Sequence, residues 1–255
     1  MLRINLNIPK MSEQRVPFSV REEARQALTD WFSDRIDVSL FNQLAGNTGQ
    51  SDTRYTGNNA AVAPTATTNW VYANGVANET QVASASASNV FVVSMIDALV
   101  ERAKTNTPKI RPLKVNGKDK YALFIHPYQV VDMRRSTSTG QWLDIQKAVY
   151  QGAKDNNPIY NGALGEYNGV VIHESTRVPA GLVSGVYRAV FLGAQSGVVA
   201  FGQKQVANRP NWYEELFDYG NQLGVAASMI WGAKKCVFNS VDFSTIVLST
   251  YAAAH

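Results

Sequence analysis

The sequence is poor in cysteine, histidine and charge. Its 255 residues include one cysteine, Cys236, and three histidines. A single cysteine excludes an intramolecular disulfide and a zinc site built from several thiolates. Charged residues make up 17% of the chain, against about 25% in an average globular protein, so part of the surface is expected to face other protein. Cys236 lies in an apolar stretch, and we expect a buried, unreactive thiol there.

Long apolar runs are also absent. The chain never reaches the roughly 18 consecutive apolar residues that a membrane-spanning helix needs. Residues 1–10 alternate between apolar and polar side chains, which is the period of a strand and not the apolar block of a secretory signal. The pattern therefore predicts a soluble chain of intracellular origin, with no membrane partner.

Positive charge is only slightly in excess. Lys and Arg number 24 and Asp and Glu number 20, which gives a net charge of +4. The charges read as scattered, without the Lys/Arg-rich run that is typical of a nucleic-acid-binding arm. A strongly basic DNA-binding protein is therefore disfavoured, although a DNA-binding accessory protein stays open as a lower-ranked alternative.

Motifs for catalysis are missing. The chain has no phosphate-binding loop, no dinucleotide fingerprint and no G-x-S-x-G nucleophile elbow. The one catalytic hypothesis left open is an intracellular hydrolase in which His126, His173 and Glu174 converge, because both histidines end predicted strands. Histidines at strand ends more often serve as hydrogen-bonded structural residues, so we expect no catalytic residue, no metal site and no cofactor.

The N-terminal third carries the strongest helix signal. Leu2–Ile8 predicts a strand that ends at Pro9. Ser19 and Glu22 have the spacing of a capping box, and an apolar stripe then continues to Leu44, with Gly46 as the stop. A helix from Ser19 to Ala45 would be roughly 40 Å long at about 1.5 Å per residue.

The next stretch, residues 46–89, has almost no sustained period. It is rich in Ala, Thr, Asn, Ser and Gly, and its one apolar group is Trp70–Tyr72. Such a stretch is either functional, disordered or ordered by a neighbour. Within it, Ala83–Ser88 is too small-chained to build a core of its own.

Helices and strands then interleave without a regular strand–helix–strand rhythm, so the fold class is α+β. We expect a helix capped by Asn89 that ends before Pro108, a hairpin turn at Asn116–Gly117, and helices over 127–135 and 141–151. The remaining predicted elements are strands or short buried segments over 121–125, 167–172, 188–192, 197–201, 212–217, 223–231, 236–238 and 245–250.

Several motifs, in order along nearly the whole chain, resemble the major capsid proteins of N-four-like tailed phages. They are Lys10–Phe18 (KMSEQRVPF), Val20–Ala24 (VREEA), Phe41–Asn47 (FNQLAGN), Asp52–Tyr55 (DTRY), Ile125–Val130 (IHPYQV), Thr139–Ala148 (TGQWLDIQKA), Gly162–Val170 (GALGEYNGV), Glu214–Gln222 (EELFDYGNQ) and Phe238–Phe243 (FNSVDF).

This resemblance implies the HK-97-like capsid fold, with a long spine helix and with peripheral and axial domains. It places the strand, the spine helix and the weakly patterned insertion in residues 1–105, the axial domain in 106–202, and strands that return to the peripheral domain in 203–255. Family members have a longer region ahead of the Lys10 motif, so the chain is expected to be N-terminally shortened.

The resemblance also implies the function and the partners. The chain would be a structural subunit of an icosahedral phage capsid, located in the virion and assembled in the bacterial host cytoplasm. It would form pentamers and hexamers with copies of itself around double-stranded DNA, which it contacts without sequence preference, and a decoration or scaffolding protein is an optional further partner. As subunit contacts we expect Arg54, Tyr55, Trp70 and Trp142.

Overall fold

The computed structural model describes residues 2–57, 59–66, 68–115, 117–136, 165–202 and 210–255. Helices and strands are both present, as the sequence predicts. The α-helices over these ranges are α1 (Lys10–Glu13), α2 (Val20–Leu44), α3 (Thr53–Thr56), α4 (Glu79–Ser84), α5 (Ser94–Thr105) and α6 (Pro127–Arg135). Short 3₁₀ turns lie at Ala73–Gly75 and Asp218–Gly220.

The strands of the described ranges fall into sheets of different sizes. They are β1 (Leu2–Pro9), β2 (Trp70–Tyr72), β3 (Leu113–Val115), β4 (Lys118–Ile125), β5 (Glu166–Tyr167), β6 (Val170–Glu174), β7 (Val186–Leu192), β8 (Gly197–Phe201), β9 (Asn211–Phe217), β10 (Gln222–Met229), β11 (Trp231–Lys235), β12 (Val237–Phe238), β13 (Val241–Asp242) and β14 (Thr245–Tyr251). Strands β8 and β11 pair with each other, as do β12 and β13.

The chain divides into two compact units. The first, called the helix–sheet unit below, comprises Met1–Ser39 and Val199–Ala233. The second, called the large-sheet unit, comprises Leu40–Val198 and Lys234–His255. These bounds differ from the predicted boundaries after residues 105 and 202. Which parts of the chain form the peripheral and axial domains of a shell stays a prediction.

The helix–sheet unit packs α2 on a three-stranded antiparallel sheet of order β1–β10–β9. The helix contributes Ala24, Leu28 and Phe32 to the core, and the sheet contributes Ile8 together with Val225, Ala227 and Met229 of β10. Apolar residues three to four apart on α2 form one stripe, and alternate residues of β10 form the facing stripe. The unit is therefore held together by one helix face and one sheet face.

The long helix forms as its sequence predicts. The Ser19 hydroxyl accepts a hydrogen bond of 3.4 Å from the Glu22 backbone N–H, which is half of the expected capping box. The Glu22 carboxylate instead lies 3.4 Å from the Arg21 guanidinium and 3.8 Å from that of Arg25. At the other end Gly46 has a φ of +59°, the left-handed conformation that glycine adopts after a helix. Along its 25 residues, α2 extends about 38 Å.

The large-sheet unit is built on a seven-stranded mixed sheet. Its order is β2–β14–β7–β4–β6–β5, and β3 pairs with β4. Strands β2 and β14 run parallel, as do β4 and β6, while the other pairs are antiparallel. Helices α5 and α6 cover one face, with a core that includes Leu99, Leu123, Phe191, Ile246 and Leu248. A smaller cluster, which contains Phe124, Val190 and Leu192, lies on the other face.

Buried polar side chains hold the weakly patterned stretch 46–89 to this sheet. Glu79 on α4 pairs with Arg188 on β7, with 2.7 Å between Oε1 and Nε. Arg188 also donates to the Gly46 carbonyl at 3.0 Å, and the Asn69 amide donates to the Thr245 carbonyl at 2.8 Å. The stretch lacks an apolar period because its anchors are polar residues, each matched to a partner more than 100 residues away in sequence.

A second buried ion pair closes the same region. The Lys235 ammonium lies 2.8 Å from the Asp242 carboxylate, and it also donates to the carbonyls of Val62 and Ala63. Burial lowers the pKa of Lys235, against the opposing effect of the Asp242 charge. The Asp242 carboxylate further accepts from the Thr65 backbone N–H at 3.1 Å. Residues 62–65 are thereby tied to the β11–β13 region.

Most local predictions are confirmed, and two are wrong. Helix α6 has the predicted bounds, and β3 and β4 form an antiparallel hairpin in which Val115 pairs with Lys118, as expected. Asn89 does not cap a helix, because α5 begins at Ser94 and the Asn89 amide donates to the carbonyls of Gln81 and Val82. Cys236 is only half-buried, not fully enclosed. The predicted helix over 141–151 lies outside the described residues.

Candidate assembly surface

The residues of the hydrolase hypothesis do not converge. The His126 ring stacks on Tyr187 with 4.1 Å between ring centroids, whereas the His173 ring stacks on Phe124 at 5.1 Å. Phe124 packs in the cluster with Val190 and Leu192 on one face of the sheet. Tyr187 is an odd number of positions from Val190 and Leu192 along β7, so its side chain belongs to the other face. Side chains of alternate strand residues point to opposite faces, so the two imidazoles contact opposite faces of the sheet.

His126 has a structural role. Its Nδ1 accepts a hydrogen bond from the Tyr128 backbone N–H at 3.3 Å, and its own backbone N–H donates to the Gln129 side chain at 2.9 Å. This arrangement caps α6. Burial lowers the pKa of the imidazole, which keeps Nδ1 available as an acceptor. His173 and Glu174 are both exposed, and within the described ranges no cluster of three or more His, Cys, Asp or Glu residues could hold a metal ion.

The four predicted subunit contacts lie in different settings. Arg54 is exposed and makes a two-pronged contact with Asp52, with 2.6 Å between Nη2 and Oδ2. Its guanidinium carbon lies 6.0 Å from the ring centroid of the half-buried Tyr55. Trp70 is also half-buried, and its indole N–H donates to the Ser249 hydroxyl at 3.0 Å. Trp142 lies outside the described residues. That these residues contact another subunit stays a prediction.

Among the described residues of the helix–sheet unit, one exposed apolar area is its edge strand β9 with the turn that follows, residues 211–220, called the edge surface below. β9 pairs with β10 on one side and is the last strand in the order of its sheet. Leu216 is 66% exposed, and Tyr213, Phe217 and Tyr219 are also exposed. An unpaired edge offers backbone N–H and C=O groups to another chain, and this edge adds apolar side chains to them.

The helix-facing side of this strand is fixed by a charged contact. Glu214 lies opposite Val225 in the β9–β10 register and so faces α2, where Arg21 Nη2 lies 2.6 Å from its Oε1. The Trp212 indole donates to the same oxygen at 2.6 Å. The hydrogen bond from Arg21 lowers the pKa of the Glu214 carboxyl. Arg21 therefore holds β9 against the helix, and no other described strand pairs with the outer edge of β9.

A second surface was missed by the sequence analysis. Residues 101–120, called the basic segment below, hold seven of the 24 Lys and Arg residues and two of the 20 Asp and Glu residues. The rest of the chain has one more acidic than basic residue, so this segment accounts for the whole positive net charge. The expectation that the charges are scattered was wrong here. The basic residues of the segment are separated by uncharged ones, so they form no continuous run although their density is high.

The basic segment forms the last turns of α5, a connecting loop and the β3–β4 hairpin. The Ile110 N–H donates to the Ala103 carbonyl at 2.9 Å, and the Tyr121 hydroxyl donates to the Ile110 carbonyl at 3.2 Å. These bonds hold the loop between the helix end and the hairpin. The segment is therefore one continuous part of the large-sheet unit, with its apolar side chain Ile110 buried and its cations outside.

Comparison with known proteins gives the class of molecule. Residues 6–254 match the model of a family described as phage capsid protein. The chain belongs to this family. Among the described residues, no helix combines the length and the apolar character needed to cross a membrane.

Particular relatives agree with this class. The major capsid protein of Pseudomonas phage KPP25 is 26% identical over 291 residues, an alignment that covers 100% of this chain and 73% of the relative. The capsid of Ralstonia phage GP4 is 30% identical with a TM-score of 0.79, and covers 99% of this chain and 73% of that one. The cyanophage Pam1 capsid has a TM-score of 0.72 at 16% identity, and covers 100% of this chain and 75% of that one.

The predicted fold and function are therefore confirmed. The chain has the HK-97-like capsid fold and is a structural subunit of a phage capsid, located in the virion and joined to copies of itself in a shell. It belongs to a structural family and not to a class of enzymes. Nothing in the comparisons supports the hydrolase alternative. Membership of the narrower N-four-like group stays a prediction.

Proposed function

We propose that copies of this chain form the pentamers and hexamers of an icosahedral shell, and that a second copy covers the edge surface. The single observation that supports this is the edge strand β9, which pairs only with β10 among the described residues and carries the exposed Tyr213 and Leu216, with the exposed Tyr219 in the turn after it. Stable interfaces between identical subunits are large and more apolar than the average surface. A strand edge that carries large apolar residues on a shell-forming chain meets that description.

The proposed contact combines two kinds of interaction. Another segment of backbone can pair with the open edge of β9, while Leu216 and Tyr219 lose their contact with water. Burying about 100 Å² of apolar surface stabilises an interface by about 2.5 kcal/mol. Arg54, Tyr55, Trp70 and Trp142 are proposed as further contacts between copies, and Arg54, Tyr55 and Trp142 lie in motifs that resemble the family.

The same proposal includes the contents of the shell. Double-stranded DNA lies inside and is contacted without sequence preference, because phosphate attraction does not depend on the bases. A decoration or scaffolding protein is an optional partner, and mass spectrometry of particles isolated from an infected host tests for it.

The test compares two double variants of the purified chain. L216E/Y219E places two charges on the edge surface, and we expect particles or rings to be replaced by monomers in analytical ultracentrifugation and electron microscopy. L216M/Y219F keeps the apolar character and is expected to assemble like the parent. Both side chains are exposed in the single chain, so thermal unfolding of the monomers should agree. Normal assembly of L216E/Y219E would exclude this surface as a contact.

A further inference from the structure

We propose that the basic segment, residues 101–120, is the surface through which this chain contacts the phosphate backbone of double-stranded DNA. The inference rests on the proposed function, since it names the part of the subunit that faces the packaged polymer. Its basis is the location of charge on the described fold, which the overall composition conceals.

Positive charge is concentrated in the basic segment. Removing the segment would leave the remaining 235 residues with 17 basic and 18 acidic side chains. A polyanion approaching the chain therefore finds net attraction at this segment and none, on average, elsewhere. Double-stranded DNA carries about one negative charge per 1.7 Å of its axis, so it is a partner whose charge density suits a short, densely basic surface.

The exposed cations of the segment do not form ion pairs within the described part of the protein. Lys104, Lys109, Arg111, Lys114 and Lys118 are exposed, and none has a carboxylate within 4.0 Å among the residues that the structure describes. The basic residues that fix the fold do have such partners: Arg188 with Glu79 and Lys235 with Asp242 are both buried pairs. The cations of the segment are therefore available to a partner.

The backbone of the segment is fixed by hydrogen bonds and by one buried side chain. Ile110 is buried, its N–H and carbonyl are both bonded within the unit, and the Arg111 carbonyl accepts from the Ala194 N–H at 2.8 Å. In the hairpin, Lys118 and Lys120 lie on one face, because they are two residues apart on β4, and Lys114 lies on the other, opposite Asp119. A fixed hairpin with cations on both faces suits a charged surface that reads no bases.

The alternative occupant of such a surface is an acidic patch on a neighbouring copy. The rest of the chain is almost neutral, with 17 basic and 18 acidic residues, whereas duplex DNA is densely negative along its whole length, and Lys120 is already paired with Glu166. We therefore commit to DNA, and the test below distinguishes the two occupants.

The experiment measures binding of the full-length chain to a random-sequence 30-base-pair duplex by fluorescence anisotropy, from 50 to 200 mM salt. The basic-segment variant is K109Q/R111Q/K114Q. The control variant, K10Q/R134Q/K234Q, removes two Lys and one Arg at exposed positions outside the segment. Each lost phosphate contact reduces the slope of log K against log salt by about 0.9. We expect the basic-segment variant to lose about 3 from this slope and the control to lose less than 1.

The outcomes separate this inference from the proposed shell function. A reduced slope supports the DNA surface whether or not the parent assembles, since assembly is measured separately by electron microscopy. An unchanged slope overturns it, as does an equal loss in both variants or a parent that shows no salt-dependent binding. A basic-segment variant that keeps the slope but stops assembling would show that the segment contacts another copy. Charge-conserving K109R/R111K/K114R should bind like the parent.

Discussion

The guanidinium of Arg188 and the carboxylate of Glu79 form an ion pair in the interior of the large-sheet unit, with 2.7 Å between Nε and Oε1. The Arg188 side chain is fully buried and that of Glu79 is 5% exposed. Glu79 also accepts from the Leu182 N–H and from the Ser249 hydroxyl. One carboxylate thus joins α4, β7, β14 and the loop before β7.

Glu79→Gln should destabilise the protein strongly. The substitution keeps the shape but leaves the Arg188 charge buried without a counter-charge, which typically costs about 3–5 kcal/mol. Chemical denaturation followed by circular dichroism measures the loss. Glu166→Gln removes the exposed partner of Lys120 and should cost about 0–1 kcal/mol. Equal effects of the two substitutions would contradict the account of the buried pair.

His126→Asn should weaken the dependence of stability on acid. Burial lowers the pKa of His126 in the folded state, so the unfolded chain binds this proton more readily than the folded one. Stability is therefore present above the unfolded pKa of about 6.5 and is lost as the pH falls through the folded pKa. Asparagine keeps a cap for α6.

The measurement for His126→Asn is the free energy of unfolding at pH 7 and pH 5. The variant should lose less stability than the parent between these values. His173→Asn is the control, because it makes the same substitution at an exposed histidine. If the His126 variant lost as much unfolding free energy between pH 7 and pH 5 as the parent does, the role of burial would be refuted.

Gly46→Ala should destabilise the end of the long helix. Gly46 has a φ of +59°, and a Cβ there would lie 2.6 Å from the Val62 carbonyl oxygen and 2.7 Å from Pro64 Cδ. The left-handed conformation alone costs a non-glycine residue about 1–2 kcal/mol, and the overlap adds to it. Gly75→Ala, with a φ of +70° and nothing within 4 Å of the added Cβ, should cost less. Thermal unfolding of both variants compares them.

Trp70→Phe should cost about 1–2 kcal/mol of folding free energy. It removes the indole hydrogen bond to the Ser249 hydroxyl. It also removes part of the contact with the Arg188 guanidinium, whose central carbon lies 4.8 Å from the centroid of the Trp70 ring. Ser249 keeps its bond to Glu79, so the network is not broken. The matched variant Trp212→Phe also removes an indole hydrogen bond, to Glu214, but at an exposed site of the edge strand, where water replaces the lost partner, so it should cost less than Trp70→Phe. Denaturation curves of the isolated chains test this.

Local signals predicted the elements of this fold well. The spine helix follows from its apolar stripe, with Ser19 before it and Gly46 after it, and α6 follows from Pro127 and the residues around it. Strand β10 and the β3–β4 hairpin could also be predicted, because apolar alternation and turn-forming residues act over a few positions. Each of these elements is determined by neighbours within its own segment.

Long-range pairings were not readable. Glu79 and Arg188 are 109 residues apart, and no local pattern relates them, so the ordering of residues 46–89 could not be derived. Asn89 was misassigned for a different reason, since its side chain bonds to the carbonyls of Gln81 and Val82 in α4, which precedes it, and not to the helix after it. The basic segment, by contrast, was present in the sequence and could have been found by counting charges in 20-residue windows.

The position of β14 between two other strands of its sheet has a consequence for synthesis on the ribosome. Residues 245–251 lie between β2 and β7 and supply Ile246 and Leu248 to the core, yet they are translated after every other strand of that sheet. A prematurely terminated polypeptide therefore has an open β7 edge and an incomplete interior, the state that proteases and chaperones recognise. The interior of the large-sheet unit is therefore complete only once β14 has been synthesised.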